Sequence, residues 1–191
     1  MENLTSQKLL PDNIVIPNKS DQFMALGAGD NKFRAIGQFK EGFRVYDGDK
    51  KPHLKEVSAE DTCKIEGTSP FTPEELESYN RKVSPYTGRL EEPVYFWAIL
   101  VYNQIKERFQ VLVITQISVI NQMKDKLQDP DFQDSTGYDF EVNKKGENKT
   151  TKYVVTTGKH KPLPEKALKT FEALYCDVSA IFRDEYPFDR K

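Results

Sequence analysis

The chain has 191 residues, of which 37% are hydrophobic, 12% aromatic and 30% charged. That length can bury a core without covalent staples, and the aromatic content separates the chain from a disordered polyelectrolyte. A formal net charge of −2 excludes a uniformly basic binder, so the distribution of charge matters more than its sum.

The distribution is uneven. Between 143 and 162 there are six lysines (144, 145, 149, 152, 159, 161) against one acid, Glu147. Between 56 and 77 there are seven acids against one lysine, Lys64. The longest apolar run, VYFWAILVY, has nine residues, too few for a membrane-spanning helix. No basic segment leads into an apolar stretch near the start, so a secretory signal is not expected. Two cysteines, Cys63 and Cys176, give no disulfide framework and suit a reducing cytoplasm.

Residues 1–30 hold the breakers Pro11, Asp12, Asn13, Pro17 and Asn18 and a GAGD turn at 27–30. They read as an arm that packs loosely or becomes ordered on another surface. The first strand is NKFRAIGQF, 31–39. It alternates Phe33, Ala35, Gly37 and Phe39 with Lys32, Arg34, Ile36 and Gln38, a half-buried strand with a basic outer face. Gly37 marks a bend or bulge, and FRVY at 43–46 extends the pairing. Residues 47–92 read as an irregular insert with one short helix over 72–83, where Thr72, Pro73 and Glu75 make a capping box. The acids of this insert would shield a basic groove, or imitate nucleic acid in it.

PVYFWAILVYN, 93–103, is apolar on both faces. Such a strand is either buried on both sides or carries a working aromatic surface. RFQVLVITQ, 108–116, follows as its hairpin partner. A helix over 117–129 carries Ile117, Ile120, Lys124 and Leu127 on one stripe and ends at Asp129–Pro130. Strands at 138–145 and 151–157 form a last hairpin around GENKT. A continuous amphipathic helix is expected over 163–182, from the spacing of Leu168, Phe171, Leu174, Tyr175, Val178, Ile181 and Phe182. It packs on its own domain, or pairs two copies as a homodimer, or docks another factor.

This order of strands, with one helix before the last pair, is that of an OB-fold: a five-stranded Greek-key barrel with a capping helix. The chain is then one domain, 1–191, with its core at 31–157, an insert at 47–92 between the first two strands and a C-terminal helix at 163–182.

Catalytic patterns are absent from the sequence: there is no nucleophile elbow, Walker motif or HExxH. Asp129, Asp131 and Asp134 resemble a cation loop only weakly, lacking its glycine and terminal glutamate. His53, Cys63, His160 and Cys176 lack the paired spacing of a zinc site. No cofactor, metal or enzymatic activity is expected; the rival to be weighed is a metal-dependent nuclease at the three aspartates. Binding chemistry is better represented. Lys32, Arg34, Lys144, Lys145, Lys149 and Lys152 can follow phosphates, and Tyr95, Trp97, Tyr102 and Tyr153 can stack bases.

The segments that carry this chemistry resemble a known family. Trp97 in its strand, the V-Y-N at 101–103, the strand-to-helix step at 113–120, the L-Q-D-P-D at 127–131 and the run GYDFEVNKKGENKTTKYVV from 137 are similar to the core of single-stranded DNA-binding proteins of tailed phages. NKFRAI, 31–36, resembles that family's first strand. The resemblance covers about 31–157 with a gap through the insert. It implies an OB-fold that coats single-stranded DNA in replication, recombination or repair, in the host cytoplasm, with replication or recombination proteins as partners. The C-terminus, RDEYPFDRK, lacks the acidic tail through which many such proteins recruit partners, and the ligands of the zinc site that some carry are missing. The alternative is a protein-interaction module in which DNA contact is incidental.

Overall fold

The computed structural model describes residues 21–58, 60–61, 68–84, 87–132, 137–146 and 150–189. Seven strands form one mixed sheet: β1 (Phe23–Met24), β2 (Gly29–Tyr46), β3 (Pro52–Val57), β4 (Val94–Asn103), β5 (Arg108–Ile114), β6 (Phe140–Lys145) and β7 (Lys152–Thr157). Their order is β1-β5-β4-β2-β6-β7, with β3 also on β2. Among the described residues three α-helices accompany them: α1 (Pro73–Ser78), α2 (Ile117–Gln128) and α3 (Glu165–Ala173).

The 18-residue β2 shapes the sheet. Its start pairs with β6 on one side, from Gly29 opposite Lys144 to Phe33 opposite Phe140. Its end pairs with β3 on that side, from Glu41 opposite Val57 to Tyr46 opposite Pro52. On the other side β4 follows both halves, but the register shifts between Ile36 and Lys40. Gly37 sits in that shift at φ +79°, a backbone state that side-chain-bearing residues avoid. The bulge lets one strand serve two half-sheets and curls the whole into a half-barrel.

The centre of the sheet, β4 and β5, is buried on both faces, which accounts for the apolar residues along β4. On the inner face Trp97, Ile99 and Val101 join Phe33, Leu112, Ile114 and Phe140, and α2 covers them with Val119, Ile120 and Met123. On the outer face Phe96, Ala98, Leu100 and Tyr102 join Phe109 and Val111 under Ala167, Ile181 and Phe188 from the C-terminal segment.

Several expectations are corrected. The sheet has seven strands, not five, and β5 takes the short parallel strand β1 as its second neighbour. Residues 21–30 are therefore no loose arm: the Gln110 side chain donates to the carbonyls of Asp21 and Phe23, and Asn31 ties Gly27 and Gly29 to Val142. The expectation for residues 1–20 lies outside the described residues. The insert contains a real strand, β3, and its helix α1 keeps the Thr72–Glu75 capping box but ends at Ser78. On α2 the buried stripe is Val119, Ile120 and Met123, while Ile117 is half exposed.

The C-terminal helix is not continuous. It stops at Ala173, runs extended through Leu174, and resumes as a 3-10 helix over Val178–Arg183, capped by Asp177. The break carries Phe182 onto Phe96, ring centres 5.6 Å apart, and against Gly42, where an added Cβ would lie 2.4 Å from the ring. Among the described residues, no helix is long and apolar enough to cross a membrane.

Candidate nucleic-acid interface

The β6–β7 hairpin presents the lysine-rich sequence on a regular scaffold. Strand alternation sends Phe140 and Val142 inward with Val155, and Lys144 with its register partner Tyr153 ends the same face. The Lys144 Nζ lies 6.0 Å from the centre of the Tyr153 ring, a cation over an aromatic face. The outer face carries Lys145 opposite Lys152, then Asn143 opposite Val154, then Glu141 opposite Thr156. Lys145 and Lys152 are exposed, and Val154 is 48% exposed between them and the body of the sheet.

Not every expected phosphate contact is free. Lys32 is paired with Glu141, whose carboxylate raises the lysine pKa by hydrogen bonding and holds it as a cation. Arg34 is fully buried. Its Nε donates to Asp139 at 3.0 Å, its Nη2 lies 2.9 Å from the same carboxylate, and its Nη1 donates to the Lys161 carbonyl at 2.7 Å. The strap after β7 covers this network, and Lys161 closes it with a 2.8 Å ion pair to Asp139. Arg34 is thus a structural cation, not a surface one: the alternation placed it on the outer side correctly, but the chain folds over it. Lys149 lies outside the described residues.

The aromatic candidates divide likewise. Trp97 is 9% exposed and Tyr102 5%, both packed into the core, so neither offers a face to a base. Burial raises the Tyr102 pKa. Tyr95 and Tyr153 are half-buried. Tyr95 sits in a row that the sequence did not reveal. Phe39 lies 4.7 Å from Trp97 and Phe43 5.4 Å from Tyr95, ring centre to ring centre. The Trp97 Nε1–H donates to the Tyr95 hydroxyl at 2.8 Å, and that hydroxyl donates to Glu41. Burial first and the Glu41 carboxylate second push the tyrosine pKa up. The missed signal was register: Phe43 opposes Tyr95 only because the bulge realigns β2 on β4.

Beyond the far end of the hairpin, Phe132, Tyr138 and His160 form a second aromatic cluster, with centres 4.9 Å and 5.2 Å apart. Lys159 and Lys161 are exposed beside it. The described residues of the acidic insert pack on the fold. Lys55 binds both Glu75 oxygens, at 2.7 Å and 2.6 Å, and His53 stacks on Tyr79 at 3.9 Å. Val57 and Phe71 are buried. Of the three aspartates of the cation loop, Asp134 lies outside the described residues. Among those described, no three His, Cys, Asp or Glu side chains gather as metal ligands do.

This surface can hold anionic and aromatic groups together: lysines at the hairpin tip, an aromatic ring beneath one of them, and further rings and lysines at the other end. Compared with models of protein families, with curated proteins and with solved structures, the chain matches none.

Proposed function

We propose that this chain is an OB-fold protein that binds single-stranded DNA with little sequence preference, in the manner of the tailed-phage proteins that coat it during replication, recombination or repair. The observation that carries the reading is the hairpin. Lys144, Lys145 and Lys152 pair with no carboxylate among the described residues, and Lys144 stands over Tyr153. Free cations beside a ring are what a strand with a phosphate backbone and planar bases requires. The connectivity supports it too. β2 lies between β4 and β6, β5 and β7 are the hairpin partners of those strands, and α2 joins the two halves, as in a barrel of OB type.

Fluorescence anisotropy of a labelled oligo-dT of about 30 nucleotides, titrated at several salt concentrations against the matching duplex, tests it. Tight single-strand binding should weaken by about 0.7 log unit per tenfold salt for each phosphate contact. Absence of binding at low salt refutes the reading.

One observation favours a second reading. The outer face of β4–β5, which an OB-fold offers to oligonucleotides, is covered here by α3 and the 3-10 helix. α3 in turn leaves Leu168 and Phe171 exposed, with Tyr175 beyond its end. A protein-interaction module, docking a second copy or a replication factor through α3, would show a shallow salt dependence toward DNA.

A further inference from the structure

A cleft of about 830 Å³ lies between the end of β2 and the loop that enters β4, away from the lysine hairpin. The described residues of its loop wall are tied together by backbone hydrogen bonds. The Ser84 N–H donates to Arg89 O at 2.8 Å, the Gly88 N–H donates to Ser84 O at 3.0 Å, and Val83 bridges Leu90. Arg81 clamps this loop to α1, donating to Leu76 O at 3.1 Å and to Glu91 O at 2.8 Å, and its guanidinium lies 3.6 Å from the Glu92 carboxylate.

The opposite wall carries a cation over a ring: the Arg44 guanidinium carbon is 4.8 Å from the centre of Tyr46. Arg44 Nε is buried without a hydrogen-bond partner. Among the described residues no carboxylate pairs with Arg44 or with the exposed Arg89, which lines the same cleft. Leu90 and Val94, 46% and 43% exposed, make the lining apolar. Glu92 is engaged by Arg81, and Glu91 is the other carboxylate of the lining. A guanidinium supported by tyrosine stacks on a planar base, a second guanidinium takes a phosphate, and the apolar wall offers the base a packing surface.

We propose that this cleft is a subsite for a single unstacked nucleotide, with the base against Arg44 and the apolar wall and the phosphate on Arg89. In the cell it would hold one nucleotide of a bound strand, and to that extent it rests on the single-strand reading; the free nucleotide tests it alone. Thymidine 5′-monophosphate is titrated into the ¹⁵N-labelled protein and followed by NMR. Wild type is compared with Arg44→Lys, which keeps the charge and loses the plane, and with Arg89→Gln at an exposed position. Thermal melts check that both variants are folded, and anisotropy with the dT oligonucleotide is run in parallel.

The expected result is shifts at the amides of Tyr46, Leu90 and Val94, with affinity about tenfold weaker in Arg44→Lys and about fivefold weaker in Arg89→Gln. No shift at these amides, or variants that bind the nucleotide like wild type, overturns the subsite, whatever the oligonucleotide does. If wild type ignores the oligonucleotide yet seats the mononucleotide in the cleft, the single-strand function falls and the nucleotide site stands.

Discussion

Gln122 completes the edge of a strand to which it does not belong. The Val155 N–H donates to Gln122 Oε1 at 3.0 Å, and Gln122 Nε2 donates to the Tyr153 carbonyl at 3.1 Å. A side-chain amide on α2 thereby fills two backbone positions that a neighbouring strand would otherwise fill, and it joins the helix to the hairpin whose lysines form the candidate interface. Removing it leaves an N–H and a carbonyl without their partner. Gln122→Ala should cost about 1–2 kcal/mol in urea unfolding. Gln122→Glu, which keeps the acceptor and loses the donor, should fall between that variant and wild type.

The buried pair of Arg34 and Asp139 makes a second expectation. Asp139 also accepts from Gln104 at 3.0 Å and meets Lys161 at 2.8 Å. Arg34→Met leaves the buried carboxylate with only Gln104 and Lys161 and should cost up to about 3–5 kcal/mol, whereas Arg34→Met with Asp139→Leu should cost less than that single change. A double variant less stable than Arg34→Met would show that the pair is not what holds the strap in place. Arg34→Met alone should leave the salt dependence of DNA binding unchanged, because Arg34 does not reach the surface.

Stacking separates from packing in the aromatics. Tyr153→Leu, which keeps apolar bulk, should weaken oligo-dT binding by about 1–3 kcal/mol per lost stack. Trp97→Phe should lower stability by about 1–2 kcal/mol through its lost hydrogen bond and smaller ring, and leave the dissociation constant alone. Lys145→Ala with Lys152→Ala should flatten the salt slope by about 1.4, at about 0.7 for each contact.

Cys176 is chemically quiet. Burial first, and the neighbouring Asp177 second, push its thiol up to about 12. In a Cys63→Ser background, iodoacetamide at pH 8 should modify the native thiol on the order of a thousandfold more slowly than a free cysteine, following the thiolate fraction. Rapid native labelling would mean that the segment between α3 and the 3-10 helix opens readily.

Acid should act through three depressed carboxylates. Asp47 is lowered chiefly by the Lys51 N–H, Glu75 by Lys55 and Asp177 by Arg183. Each folded pKa lies below its unfolded value, so the stability each lends is complete above the ordinary values of 3.8 and 4.5 and is lost as pH falls through the folded ones. Melting temperature should hold from neutral pH to about pH 5 and fall below about pH 4. Asp177→Asn should start lower and fall less.

Much of this architecture is legible in the residues, and the failures have physical causes. The strands β4 to β7, the helix between them and the capping box of α1 follow from alternation, helical spacing and Thr72 three residues before Glu75. β3 escaped because PHLKEV is polar on both sides: one face is satisfied by partners in the insert, such as Glu75 for Lys55, that lie far off in sequence. The helix break at Leu174 escaped because apolar residues at three- and four-residue spacing fit a 3-10 turn as well as an α-helix. At the site, alternation tells which side of a strand a residue occupies but not what lies over that side. Lys145 and Arg34 read alike, yet one is open to solvent and the other sealed under the strap.

The bent β2 has a consequence for how the molecule opens. With β4 along both halves, β6 beside the first and β3 beside the second, the amides of its paired residues on either side of the bulge meet deuterium chiefly when the sheet itself comes apart. Their exchange rates therefore report the free energy of whole-molecule opening, while those at α1, which buries none of its residues, report local fluctuation. A ligand present at one hundred times its dissociation constant, on the hairpin or in the cleft, would slow β2 exchange by the same ~2.7 kcal/mol. The protection of this one strand is thus a gauge of total occupancy that is indifferent to where the ligand sits.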